Sequence, residues 1–384
     1  MRSISSCMVR NSGGHPDEQN KLRKNEFRRI IMKKILAAIL SAAMIFSLTA
    51  CGASSASSAA GASSASSAGA SKASGTGKAK YVLKLGDSQA ETHPQSKAYH
   101  WFANRVSELT NGEVEVQVFV NSALGTQAQC VEGLSLGTVE IAKNMATGFS
   151  TYVPEIQIFD LPYMFKDKEH FLKVLDSDIG AHYLNDVLGK AGLVGLCYFY
   201  AGSRCFYTTR KVEKLADLKG MKIRVPDGPI YQDMCKAFGA SGTPIPMGDI
   251  YTALQTHVVD GAENATIVYD TSKHYEPATY FLEDDHIMTP DIVAMSKSYL
   301  ASLPEADQKA ILQAGKEMAQ EERKLWDAQE ASSLQVMKDH KVTITKPTDA
   351  QLAEFRKAAQ TVWSKYESVV GKEWIDKVQA MQNS

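Results

Sequence analysis

The stretch Glu113 to Val120, EVEVQVFV, puts valines at 114, 116, 118 and 120. A period of two cannot line one face of a helix, so this segment is a strand buried on one side. Asn111-Gly112 ahead of it marks a turn. Before the turn, Ala98, Phe102, Val106 and Leu109 recur at helical spacing, and YVLKLG (81–86) precedes them as another strand. Strand, helix, strand is the rhythm of a mostly parallel sheet with helices on its faces. It continues with a helix over about 127–136, a strand near 139–143, and short apolar strands at 193–199 and 221–225. Such sheets take ligands at the carboxyl ends of their strands. Past Pro304 the pattern becomes one long helical stretch to about Met337, long enough to brace two α/β units. A strand at 342–345 and closing helices at 351–366 and 374–381 follow, and no internal repeat is present.

The chain upstream of 81 has no core-forming pattern. From Met32, two lysines, an apolar run from Ile35 to Leu48 and small residues before Cys51 form a secretory signal, the apolar run being short for a membrane span. Leu48-Thr49-Ala50-Cys51 matches the lipobox of bacterial lipoproteins, which implies cleavage before Cys51 and acylation of its thiol. An ordinary signal with an incidental cysteine is the alternative. Residues 1–31 are basic, unpatterned and upstream of a complete signal, so Met32 reads as the initiator. Residues 51–80 are then the lipidated cysteine and an Ala/Ser/Gly tether, with a reach of roughly 30 Å.

The body from Tyr81 to Ser384 can hold two medium domains. From Cys51 onward 33 basic residues face 40 acidic ones, a net charge of −7, which argues against nucleic acid as a partner and against broad capture of anions. Any anion has to be bound by a few local groups. Cys130, Cys197, Cys205 and Cys235 have irregular spacing, read as buried free thiols or as one disulfide between Cys197 and Cys205. No metal or cofactor is implied. GxSxG, HExxH and glycine-rich phosphate loops are absent, which disfavours a secreted hydrolase or lyase.

One arginine stands out. In KIRVPDGP (222–229), alternation puts Ile223 and Val225 on one face and Lys222 and Arg224 on the other, while Pro226 holds Val225 extended. A guanidinium mounted so stiffly matches a carboxylate with two parallel hydrogen bonds, as a lysine cannot. A solvated strand-end arginine is the plainer alternative.

Five segments then occur in order: VFVNSALG (118–125), LSLGTVEIA (134–142), FDLPYMF (159–165), DLKGMKIRVPDGP (217–229) and YTALQTHVVDGAEN (251–264). Together they resemble the solute-binding subunit of tripartite ATP-independent periplasmic (TRAP) transporters, of the C4-dicarboxylate-binding (DctP) type, over essentially the whole body. The resemblance implies an α/β, two-lobed fold like that of periplasmic binding proteins, with a ligand cleft between the lobes and a long bracing helix. Lobe I would comprise 81–201 with 289–329, and lobe II 202–288 with 330–384. The implied protein is exported, lipid-anchored and not an enzyme. It closes around a small organic acid (a dicarboxylate, keto acid or sugar acid) and passes it to the small and large membrane subunits of a sodium-driven permease. The receptor of an ATP-driven importer shares this architecture and is the alternative binding class.

The resemblance also assigns residues. Arg224 would bind the ligand carboxylate, Arg204 in AGSRCFYT would be a second anion-binding arginine or else a surface or inter-lobe ion pair, and Asn264 would bind ligand or cap the segment starting at Ala265. Glu91 and His93, in the loop ETHP at a strand's carboxyl end, are candidate polar contacts. Asn144 with Met145 matches a ligand-contacting region, the change to Met145 arguing against an amine or polyol contact there. Asp227 is a candidate acceptor of a ligand hydroxyl. Phe149, Phe165 and Tyr207 read as core or cleft wall, and EDDH (283–286) as a solvated loop.

Overall fold

In the computed structural model, which describes residues 79–383, strands β1 (Tyr81–Gly86) and β2 (Val114–Phe119) lie side by side in parallel. β2 is an edge strand covered on one face, so Val114 and Val116 are buried while Glu115 and Gln117 are exposed. The helix Pro94–Leu109 between them turns Ala98, Tyr99, Phe102 and Val106 inward. The helix Gln127–Leu136 starts on a capping box of Thr126 with Gln129 and stops at Gly137, whose φ of 70° is a left-handed cap. β3 (Ile141–Met145) starts two residues later than the pattern indicated.

The remaining strands are β4 (Leu193–Phe199), β5 (Ser203–Thr208), β6 (Lys222–Val225), β7 (Ser241–Pro244), β8 (Gly261–Asn264), β9 (Tyr280–Met288), β10 (Asp291–Ser296) and β11 (Thr343–Thr345). They form two sheets, β2-β1-β3-β10-β4 and β11-β9-β5-β8-β6-β7. Each sheet is parallel except for one strand: β10 opposes β3 and β4, and β5 opposes β8 and β9. The exceptions have one cause. The chain runs from β4 into β5, and from β9 back into β10, through two short crossovers. Both sheets point their carboxyl ends toward those crossovers, so a strand arriving from the other sheet enters against the local direction.

The helix Glu305–Asp339 has 35 residues, a length of about 52 Å. Near its start Ile311, Ala314 and Met318 join the core formed by one face of the first sheet and the helix Pro94–Leu109. Near its end Met337 packs with Tyr207, Tyr269 and Phe281 of the second sheet's core, and Ser333 donates to Asp270 at 2.6 Å. It braces both sheets, as its length suggested. A third core is common to the two: Ala142, Tyr198 and Ile292 from the first sheet meet Phe206, Ile223 and Leu282 from the second, sealed by Phe355, Val362 and Val378 of the closing helices Asp349–Val370 and Lys372–Ala380.

Two expectations change. EDDH is the middle of β9, not a solvated loop: Asp284 and His286 are buried and ion-paired, because they turn inward onto Phe206 and Glu263 of the neighbouring strands while Asp285 stays exposed. Cys130, Cys197, Cys205 and Cys235 are free and buried, with Cys197 and Cys205 on strands of different sheets, so no disulfide joins that pair. Cys51, the signal segment and the tether through 78 lie outside the described residues. Among the described residues no helix is long and apolar enough to cross a membrane.

Candidate functional site

The carboxyl ends of both sheets border a cleft of about 710 Å³, within the range usual for small-molecule sites. Arg224 is on β6, between β7 and β8, with its backbone opposite Thr243 and Ala262. Its side chain is buried and lines the cleft, and Nε donates to Ile245 O at 2.8 Å. Among the described residues no carboxylate pairs with it. Burial therefore pulls its pKa down to about 10, against partial support from Tyr207 and Glu263 and with Arg204 opposing. The guanidinium remains charged at neutral pH, desolvated and only partly compensated.

Arg204 is placed differently. Its Nε and Nη2 hold the two oxygens of Glu263, Nη2 also donates to Glu263 O at 2.8 Å, and Nη1 donates to Asn264 Oδ1 at 3.2 Å. Burial opposes its charge, but the Glu263 carboxylate outweighs burial and raises its pKa. The pair is neither on the surface nor between lobes: β5 and β8 are neighbours, and the two side chains meet across them. Behind Glu263, His286 Nε2 lies 3.4 Å from its carboxylate and His286 Nδ1 lies 3.0 Å from Asp284. Burial opposes protonation of His286, yet Asp284 first and Glu263 second raise it to about 9. Asn264 Oδ1 also accepts from Ala265 N at 2.9 Å, while its amide nitrogen touches Met247 Sδ at 3.9 Å.

The first sheet contributes a polar wall. Lys143, on β3, is buried between Asp291 at 3.1 Å and Asp87 at 3.3 Å, and these carboxylates outweigh burial and raise its pKa. Gln95 Nε2 donates to Asp291 Oδ2 at 2.8 Å, and Gln95 N donates to His93 Nδ1 at 3.3 Å. Burial first, then Lys143, holds the His93 pKa well below its usual value, so the ring is neutral. Trp326, from the long helix, meets the His93 ring edge-on at 5.8 Å. Gly202, at the β4–β5 crossover, has a φ of 74°, and a Cβ there would stand 2.8 Å from both Ala265 and Trp326. Glycine is thus required twice over, by conformation and by space. Across the cleft mouth, a Cβ on Gly228 would meet Thr147 Oγ1 at 2.2 Å, so the two sides already touch.

The cleft brings together Arg224, Arg204, Asn264, Asn144, His93 and Asp227, the last exposed at the mouth. Asn144 Oδ1 accepts from Met145 N at 2.9 Å. Glu91 is outside this lining and pairs with His100 on the surface at 2.7 Å. Phe149, Phe165 and Tyr207 belong to the cores. Sequence reasoning passed over Lys143, Asp87, Asp291, Gln95 and Glu263, and took His286, within EDDH, as solvated. A charge directly beside Asn264 in the short strand GAEN was a usable signal for Glu263. Lys143 had none, since its partners are distant in sequence.

Comparison with known proteins places the chain. Residues 85–369 match the DctP family, bacterial extracellular solute-binding protein, family 7. A solute-binding protein of Chromohalobacter salexigens is 32% identical over 276 residues, 72% of this chain and 81% of that one. A TRAP periplasmic solute-binding protein of Xanthobacter autotrophicus Py2, solved with bound β-D-galacturonate, superposes with a TM-score of 0.74 at 32% identity, covering 78% of this chain and 99% of that one. One from Sulfurospirillum deleyianum, solved with bound succinate, gives 0.75 at 34% identity, covering 79% and 99%. These similarities extend across the two-sheet body and its cleft, and the chain belongs to the DctP family of TRAP solute-binding proteins, which are transport receptors and not enzymes.

Proposed function

We propose that this protein is a lipoprotein, anchored through Cys51, that captures a small organic acid by an ion pair between the ligand carboxylate and Arg224. Lobe I (81–201 with 289–329) and lobe II (202–288 with 330–384) close over it about the two crossovers, and the loaded form docks on a sodium-coupled TRAP permease. The observation that carries this reading is the state of Arg224: buried, charged, and without a carboxylate partner among the described residues. A desolvated guanidinium is costly unless an anion completes it. Arg204, already held by Glu263, orients Asn264 and supplies field more than a free fork. The relatives solved with galacturonate and succinate support an organic acid as the ligand class.

Calorimetric titration with an acid ligand tests it. Removing one partner of a buried charged pair costs on the order of 2–5 kcal/mol, so Arg224→Ala weakens binding by roughly 30- to 4,000-fold. Arg224→Lys keeps the charge without the fork and recovers part of that loss. If folded Arg224→Ala binds within about threefold of wild type, the carboxylate is held elsewhere.

A further inference from the structure

Arg224 and Arg204 line the same cleft but commit different edges of their guanidinium groups. A guanidinium offers a carboxylate two matching edges, one side-on through Nε and an Nη, the other end-on through both Nη atoms. Arg204 gives its side-on edge to Glu263 and Nη1 to Asn264, so all three nitrogens are engaged. Arg224 has Nε on Ile245 O at 2.8 Å, while neither Nη has a partner among the described residues or is sealed from the cleft. Building on the reading of Arg224 as carboxylate anchor, we propose that Ile245 is its positioning residue: the main-chain carbonyl, set between Pro244 and Pro246, holds Nε and leaves the end-on edge as the face on which the ligand carboxylate docks.

The local backbone makes this carbonyl a fixed acceptor. β6 and β7 run parallel, with Arg224 opposite Thr243 and Val225 opposite Pro244. Ile245 extends that ladder by one step, its N–H donating to Val225 O at 3.2 Å. Its nitrogen side is thereby tied to the strand that carries Arg224. On its carbonyl side, the ring of Pro246 disfavours the helical region for Ile245 and so limits rotation of the carbonyl. Pro246 has a φ of −54°, as its ring dictates. The guanidinium plane is therefore set before any ligand arrives, and a long side chain need not be ordered during binding. A lysine at 224 has no Nε to be held, so the brace acts only on an arginine.

Pro246 is exposed, so Pro246→Ala frees the Ile245 carbonyl without removing core packing. Calorimetry on the full chain, with D-galacturonate and succinate as probes, compares wild type, Pro246→Ala, Arg224→Lys and the double variant. Pro246→Ala is expected to weaken binding about fivefold or more, because a hydrogen bond from a charged donor is loosened. In the Arg224→Lys background the same change should alter affinity by less than about twofold. Equal losses in the two backgrounds would show that Pro246 acts through the shape of its loop, and no loss in the arginine background would show that the carbonyl is not needed; either result overturns the positioning role. A ligand-free readout separates this role from the anchor. In side-chain nitrogen NMR, the Arg224 Nε–H, assigned by its disappearance in Arg224→Lys, should be protected from solvent exchange and should exchange about tenfold faster in Pro246→Ala. Free exchange in wild type refutes the positioning whatever becomes of the anchor, and this measurement decides where the lysine variant binds too weakly to titrate. Arg224→Lys binding as tightly as wild type, or no binding of either acid up to about 1 mM, would sink the anchor and the docking edge with it.

Discussion

At the scale of single residues, the second-sheet side of the cleft rests on a buried charge relay from Asp284 through His286 and Glu263 to Arg204. Its weak point is the histidine. Folding raises its pKa from the ordinary 6.5 to about 9, so the folded state holds the proton more tightly than the unfolded chain. The resulting stability is complete below pH 6.5 and is lost as pH rises through 9, a contribution of up to about 3 kcal/mol. Thermal melts of wild type and His286→Gln from pH 6 to 10 should show the wild-type advantage shrinking across that window. A constant difference in melting temperature would mean that His286 is not charged in the fold. None of this was legible in EDDH, where local composition looks solvated, because the burial comes from β5 and β8: Phe206 is 78 residues from Asp284 and Glu263 is 23 residues from His286. The strand of Arg224 and its stiff mount before Pro226 were legible within a few residues, whereas its burial and its lining of the cleft were not, and its role as carboxylate anchor rested on the family resemblance.

At the scale of elements, the strand ends and loops set how near the two sides of the cleft can come. Gly228 opens the helix Pro229–Ala237 in an extended conformation that any residue could adopt, so the glycine is there for space. Its Cα faces Thr147, on the turn after β3. Gly228→Ala should leave the melting temperature unchanged and weaken ligand binding by about tenfold or more, because the methyl group props the cleft open. Small-angle scattering would show ligand compacting the wild type but not the variant. Pairing Gly228→Ala with Thr147→Ala removes the obstructing hydroxyl and should restore part of the affinity, and the idea fails if the single variant closes normally. The parallel elements of the first sheet could be read from pattern within a few residues. β5, β8 and β10 could not: GAEN and DIVAMS lack alternation because both faces of those strands are covered.

At the scale of the whole molecule, the proposed lipoprotein form would carry its lipid on Cys51, ahead of the Ala/Ser/Gly-rich sequence that leads to the body. Membrane-extracted protein should then give an intact mass that starts at an acylated Cys51, and a mature form beginning elsewhere and released to the medium would contradict the anchor. The order of the strands has a further effect, on the sequence in which the sheets can be completed. β10 sits between β3 and β4 in the first sheet, yet it is supplied by residues 291–296, after the chain has built most of the second sheet and crossed back. Neither β3 nor β4 can complete its pairing until three quarters of the polypeptide has emerged. Contacts so distant in sequence form slowly. The first sheet therefore gains the strand between β3 and β4 last of all, and those two are joined only through residues that lie beyond most of the second sheet in the chain.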